Sequence, residues 1–115
     1  MIQTKRIYDP PSKDDGRRVL VMRLWPRGIK KNQIDEWYKE LGTELTLIKA
    51  WKSGKIDWAE FKKKYLFYIR QEKCKSLIQE LAKRGKKEMI TLLCSCEDES
   101  HCHRSLLKSE IEKYI

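Results

Sequence analysis

The sequence predicts one compact α/β domain spanning residues 1–115, with a small, largely parallel sheet flanked by helices. Three observations predict it. The runs Arg18–Trp25 and Met89–Cys94 are of strand length and apolar without alternation in their middles, as strands covered on both faces are. Several stretches between them repeat apolar residues at the helical period. The order strand, strand, helices, strand, helix is that of a sheet whose strands run mostly in parallel.

Thr4–Tyr8 reads as a first short strand, closed by Asp9-Pro10-Pro11, whose prolines cannot donate to a ladder. The turn-rich Ser12–Gly16 leads to the second strand, Arg18–Trp25, which stops at Pro26-Arg27-Gly28. Asn32 is expected to cap a short helical or irregular segment with Asp35 and Glu36 in its first turn and the apolar pair Trp37 and Leu41. Thr43 is expected to cap a helix that turns Leu47, Ile48 and Trp51 to the core and ends at Ser53-Gly54. Asp57, with Glu60 three residues on, opens a longer helix whose stripe of Trp58, Phe61, Tyr65, Tyr68 and Ile69 belongs to the core. Leu77, Ile78, Leu81 and Ala82 mark another helix, with a basic last turn and Gly85 as its left-handed terminator. Met89–Cys94 is the third strand. Leu106, Leu107, Ile111 and Tyr114 form the buried face of a closing helix, with Ser100 or Asp98 at its N-cap.

Hydrophobic residues make up 40% of the chain, with four Trp and five Tyr, which suffices for a core and excludes a disordered chain. The charged fraction, 37%, exceeds the usual quarter, and the Lys, Glu and Ile usage leans toward that of heat-adapted organisms. A net charge of +9 favours anionic partners over cationic ones. No run approaches the roughly 18 apolar residues of a membrane span, and Met1–Arg6 lack the core of a secretion signal. A cytoplasmic protein without membrane contact is therefore expected, its oligomeric state left open. In a reducing compartment the four cysteines are expected as thiols or metal ligands, with Cys74 a plain core or surface thiol.

The chemistry concentrates in CSCEDESHCHR, residues 94–104, between the third strand and the closing helix. In open α/β sheets ligands bind beyond the carboxyl ends of the strands, where the amides of a following helix favour anions. With the cap at Asp98 or Ser100, His101, Cys102 and His103 fall in the first turn, and the helix dipole and Arg104 make Cys102 the expected low-pKa thiol. Helical geometry brings His103 over the sheet edge near Cys94 and swings His101 and Cys102 away. Donors for a tetrahedral metal are present, but paired C-x2-C knuckles are not. Alternate side chains of a C-x-C strand also diverge, so neither metal nor cofactor is expected. The closing arginine of a phosphatase-type loop follows its nucleophile more closely than Arg104 follows Cys96 or Cys94.

A second patch, Arg23-Leu24-Trp25-Pro26-Arg27-Gly28, ends the second strand. Two guanidiniums around a Trp-Pro hinge suit a bidentate grip on a phosphate or carboxylate, and the indole offers a stacking surface. The plainer reading puts Trp25 in the core and pairs the arginines with Asp9, Asp14 or Asp15.

RLWPRG after YDPPSKDDGRRVLV, followed by LLCSCEDESHCHR before the last helix, closely resembles the family known as domain of unknown function 488, with its YeaO-like branch. The resemblance spans essentially the whole chain. The family's second motif looks like Cys-Ala-Glu-Lys-Asp followed by Cys-His-Arg, matching Cys94, Asp98, His101, Cys102, His103 and Arg104. Here Cys96 stands where a Glu is usual and Glu97 where a Lys is usual. The resemblance implies a compact α/β fold and a shared site at Asp9, Arg23, Trp25, Pro26, Arg27 and Gly28, and no settled activity. YeaO-like members can carry Asn and Ala in place of Cys102 and Arg104, and another residue in place of Cys94, so it implies no zinc or thiolate common to the group.

These observations lead to a domain that binds a phosphate-bearing ligand, a nucleotide or nucleic-acid segment, in a cleft between the Arg23–Gly28 and Cys94–Arg104 turns. Arg23 and Arg27 would grip the anion, Trp25 would stack, and the amides around His101 would donate. Asp9, Gly28, Asp98 and Arg104 complete the ligand set, and His103 and Cys102 are the candidates for proton transfer or attack. Whether the protein is an enzyme is left open. The alternatives are a non-catalytic basic nucleic-acid-binding module, marked by steep salt dependence, and a zinc-binding or redox-sensing protein.

Overall fold

In the computed structural model, which describes residues 1–115, four parallel strands form one sheet in the order β1-β4-β2-β3. They are β1 (Ile2–Arg6), β2 (Arg17–Leu20), β3 (Glu36–Trp37) and β4 (Ile90–Cys94). β4 lies between β1 and β2 and is buried along its whole length, which explains why its sequence is apolar without alternation. The helices are α1 (Leu45–Lys52), α2 (Trp58–Ile69), α3 (Glu72–Gly85) and α4 (His103–Glu112). Val19, Val21, Ile90 and Leu92 point to one face of the sheet and meet Tyr65, Ile69, Ile78, Leu81, Leu107 and Ile111 from α2, α3 and α4. Leu20 and Leu93 point to the other face, where Ile7, Met22, Trp25, Ile29 and Ile34 cover them. The helices therefore pack on one side and a long connection on the other. No helix is long and apolar enough to cross a membrane.

The elements depart from sequence expectation where tertiary contacts outweigh local preference. The first strand lies two residues earlier than expected, in register with β4 from Ile2↔Ile90 to Arg6↔Cys94, and Tyr8 is exposed. The second strand ends at Leu20. Past Val21, whose N–H still donates to the Leu93 carbonyl, Met22 and Arg23 lie against the backbone of Gly42 instead of a partner strand. Asn32 caps nothing: it lies inside the first of two short 3-10 turns, Lys31–Gln33 and Lys39–Leu41, and between them runs the two-residue β3, which pairs with β2.

Thr43 does not cap α1; the N-cap is Glu44, and the Thr43 hydroxyl is buried without a partner. Asp57 does cap α2, its carboxylate accepting from the Glu60 N–H. Gly85 is no left-handed terminator. It is the last residue of α3, where a β-carbon would stand 2.7 Å from Ile2 Cδ1, so close packing rather than backbone freedom explains it. Asp98 caps a 3-10 turn, Glu99–His101, and Cys102 takes the N-cap of α4 in extended conformation. Tyr114 is exposed, and Cys74 is a buried thiol donating to the Glu40 carbonyl.

Candidate functional site

The carboxyl ends of β2 and β4 open on the helical side of the sheet into a cavity of about 160 Å³. Met22–Leu24 and Thr43 form one wall, α1 supplies Leu45, Ile48, Trp51 and Lys52, and Phe61 comes from α2. Cys94–Cys96 and His101–His103 close it from below. A shallower groove of about 400 Å³ runs between α1 and α2 around Leu47 and Phe67, away from both motifs.

At the floor, β4 ends with Cys94 and the chain turns at Ser95, so the alternation of a strand no longer governs Cys96. Its sulfur returns to 3.7 Å from Cys94 Sγ. The extended N-cap conformation of Cys102 brings its sulfur to 3.6 Å from Cys94, where a place inside the helix would have turned it away. His103, the first residue of α4, lies edge-on to Tyr65 with Nδ1 3.8 Å from both Cys94 Sγ and Cys102 Sγ. Its Nε2 is 2.6 Å from the Val21 carbonyl. A carbonyl only accepts, so Nε2 carries a hydrogen and Nδ1 is the ring nitrogen that faces the sulfurs. Arg104, 3% exposed, donates from Nη1 to the Cys96 carbonyl at 2.8 Å and stands 3.8 Å from Cys102 Sγ.

Hydrogen bonding from Cys102, then from Cys96, stabilises a thiolate on Cys94 and lowers its pKa despite burial; the Arg104 charge acts the same way. Cys102, whose proton serves that bond, is raised. The thiol favoured for ionisation is thus Cys94, not Cys102 as the helix dipole alone suggests.

The rim is cationic. Arg23 donates from Nη2 to the Gly42 carbonyl and the Tyr68 hydroxyl, both at 3.0 Å, and its guanidinium lies over the Tyr68 ring. Its Nε is buried with no partner, as are Thr43 Oγ1 and, behind the floor, Arg104 Nε. His101 Nδ1 is 2.9 Å from an Asp98 carboxylate oxygen, and its ring stacks on Trp51. Asp98, whose own pKa is lowered by hydrogen bonds from Ser100 and His101, therefore positions His101 and does not line the cavity. No carboxylate lines it at all, whereas Arg23, Lys52 and two imidazoles do.

The expected Arg23–Gly28 patch divides at Leu24. Trp25 lies on the opposite face of the sheet, edge-on to Trp37, with Nε1 donating to the Ile29 carbonyl at 2.8 Å. It borders an open groove beside Ile34 and Trp37. Arg27 is exposed and its carbonyl accepts from the Tyr8 hydroxyl, while Gly28 makes a turn at φ 79°. Asp9 accepts from the Arg6 N–H at 3.3 Å, and none of these four lines the cavity. Neither Arg23 nor Arg27 forms an ion pair with Asp9, Asp14 or Asp15; Asp15 pairs with Lys5 and Arg18 instead. The residues that sequence reasoning missed are Thr43, Trp51 and Lys52, which carry no motif; Cys94 and Cys96 were weighed at the strand's end but given no role in the site.

Residues 2–115 match the family model DUF488-N3a, described as the active DUF488-N3 subclade. The uncharacterised protein YeaO of Escherichia coli is 42% identical over 108 residues, covering 92% of each chain. The uncharacterised proteins Mb3100c of Mycobacterium bovis and Rv3073c of Mycobacterium tuberculosis are each 25% identical over 108 residues, covering 92% of this chain and 89% of their own. No solved structure matches.

Proposed function

We propose, from the premise that this chain belongs to the DUF488-N3 family, that the cavity binds a small molecule through a phosphate or a comparable anionic group. The observation that carries the reading is the pair of buried, unpartnered polar groups, Arg23 Nε and Thr43 Oγ1, on a wall without any carboxylate. A buried donor left unmade costs about 1–3 kcal/mol. An anion that displaced the groups covering them would accept from both, recover that cost and meet the charges of Arg23 and Lys52. The N-terminus of α4 at the floor adds the positive end of a helix dipole.

At about 160 Å³ the cavity is smaller than the roughly 300–1,000 Å³ that encloses a drug-sized ligand, so it encloses one functional group of a larger molecule or a small molecule entire. The remainder of a nucleotide would lie outside, against Leu24, Leu45 and the Trp51–His101 stack. Trp25, Arg27, Gly28 and Asp9 take no part in this reading. Cys102 and His103 face the guest while bonded to Cys94 and Val21, so the cationic rim, not the floor, carries the reading. The description of the subclade as active accords with a site kept for use.

Isothermal titration with inorganic phosphate, pyrophosphate and nucleoside monophosphates tests it. Wild type is expected to bind at least one of them, with affinity falling about tenfold in Arg23→Gln and severalfold in the exposed Lys52→Ala. No binding by wild type, or unchanged binding by both variants, would overturn the reading.

A further inference from the structure

We propose that Cys94, Cys96, Cys102 and His103 form a zinc site at the floor of the cavity. The three sulfurs all lie within 4.8 Å of one another, one at the end of β4, one on the turn after it and one at the N-cap of α4, so a single ion would tie the last strand to the last helix. Zinc binds thiolate at about 2.3 Å and imidazole nitrogen at about 2.0–2.1 Å, which in a tetrahedron separates donors by about 3.6–3.8 Å. Cys94 stands 3.7 Å from Cys96, 3.6 Å from Cys102 and 3.8 Å from His103 Nδ1, and Cys102 stands 3.8 Å from His103 Nδ1. His103 lies outside the mutual distance that joins the three sulfurs, so the half-buried Cys96 side chain would have to swing toward Nδ1 to complete the tetrahedron.

Two further observations point to an ion rather than to packed thiols. The first is His103. Its Nε2–H is fixed on the Val21 carbonyl and its Nδ1 faces the sulfurs, which is how a metal-binding imidazole is oriented by its outer partner. The second is Arg104, buried beside Cys102 with no carboxylate to pair with. Three thiolates and one Zn²⁺ sum to a single negative charge, and Arg104 offsets it. Sulfur and imidazole together select zinc over the oxygen-seeking Mg²⁺ and Ca²⁺. On binding, the thiol protons leave to solvent and the lone pairs go to the ion, with no change in oxidation state. The expectation that C-x-C side chains diverge does not apply, because the strand ends at Cys94.

The assignment goes beyond the anion reading and stands without it, since it uses the floor and not Arg23 or Thr43. Full-length protein, reduced and stripped of metal, is titrated with Co²⁺ and then Zn²⁺ under anaerobic conditions. One equivalent of Co²⁺ is expected, with thiolate-to-cobalt charge-transfer bands and tetrahedral d–d bands that one equivalent of Zn²⁺ abolishes. Cys96→Ser, at the half-buried lip, is expected to weaken zinc at least about tenfold, and Cys74→Ser to leave it unchanged. Wild type without thiolate-to-cobalt bands, or with Cys96→Ser binding zinc as tightly as wild type, would overturn the site. Where Cys96→Ser fails to fold by circular dichroism, the wild-type cobalt spectrum decides. Phosphate titration of the metal-free protein reports on the anion reading separately.

Discussion

Gly42 decides where Arg23 stands. A β-carbon there would meet the Arg23 amide nitrogen at 2.3 Å and the Met22 carbonyl carbon at 2.6 Å, and neither backbone atom can step aside as a side chain does. The Gly42 carbonyl also accepts from the Arg23 guanidinium, so one residue both admits the crossing and orients the cation. Gly42→Ala is predicted to destabilise the protein by about 1–3 kcal/mol and to weaken phosphate binding, as read by denaturant unfolding and calorimetry. The approach of His103 to Cys94 was legible, because strand end and helix face fix both residues. The position of Cys102 was not. It depends on whether the residue caps the helix or lies within it, and Asp98 and Ser100 were equally good local candidates for a cap that the fold assigns to the preceding 3-10 turn. Thr43 misled in the same way, since its type suits a cap while its place is beside the cavity.

Among the elements, β3 depends most on its neighbours. Two residues make no stable strand by themselves; Glu36 is held by Arg84 from α3 and faces Arg17 from β2, and the Asp35 carboxylate accepts from the Arg18 N–H. The Arg84 hydrogen bond lowers the Glu36 pKa below its ordinary 4.5, and Arg70 does the same for Glu110. A carboxyl lowered on folding contributes stability that is fully present above about pH 4.5 and fades as acidity passes through the folded value. Arg84→Met is therefore predicted to cost about 1–2 kcal/mol at pH 7, and the gap from wild type to narrow toward pH 3, in urea melts at both values. The sequence pattern could not show this strand. Its signal is an ion pair to a residue 48 positions away, not periodicity.

Across the whole molecule, the parallel sheet, the single domain and the placement of chemistry at strand ends were legible, because apolar runs and helical periods report burial directly. The division of the Arg23–Gly28 patch between two faces was not, since it follows from a loop crossing over β2. The net charge of +9 belongs to this scale too. It is expected to speed the arrival of anions, an effect that salt screens over roughly 10 Å, while an anion held at the buried groups of Arg23 and Thr43 would be screened less. Phosphate affinity is predicted to fall only severalfold between about 50 and 200 mM salt. A module gripping a polyanion through dispersed lysines would lose about a thousandfold or more over the same range. Filter binding of an oligonucleotide beside phosphate calorimetry separates the two.

The middle position of β4 has one more effect. β1 and the inner edge of β2 are both partnered by a strand that begins at residue 90, so during synthesis neither of those edges is met until β4 has been made, although β3 can reach the other edge of β2 earlier. The emerging chain must shelter two bare β edges by other means until then, and a ribosome that stalls ahead of Ile90 leaves a product whose β1 has no partner and whose β2 has only the two-residue β3.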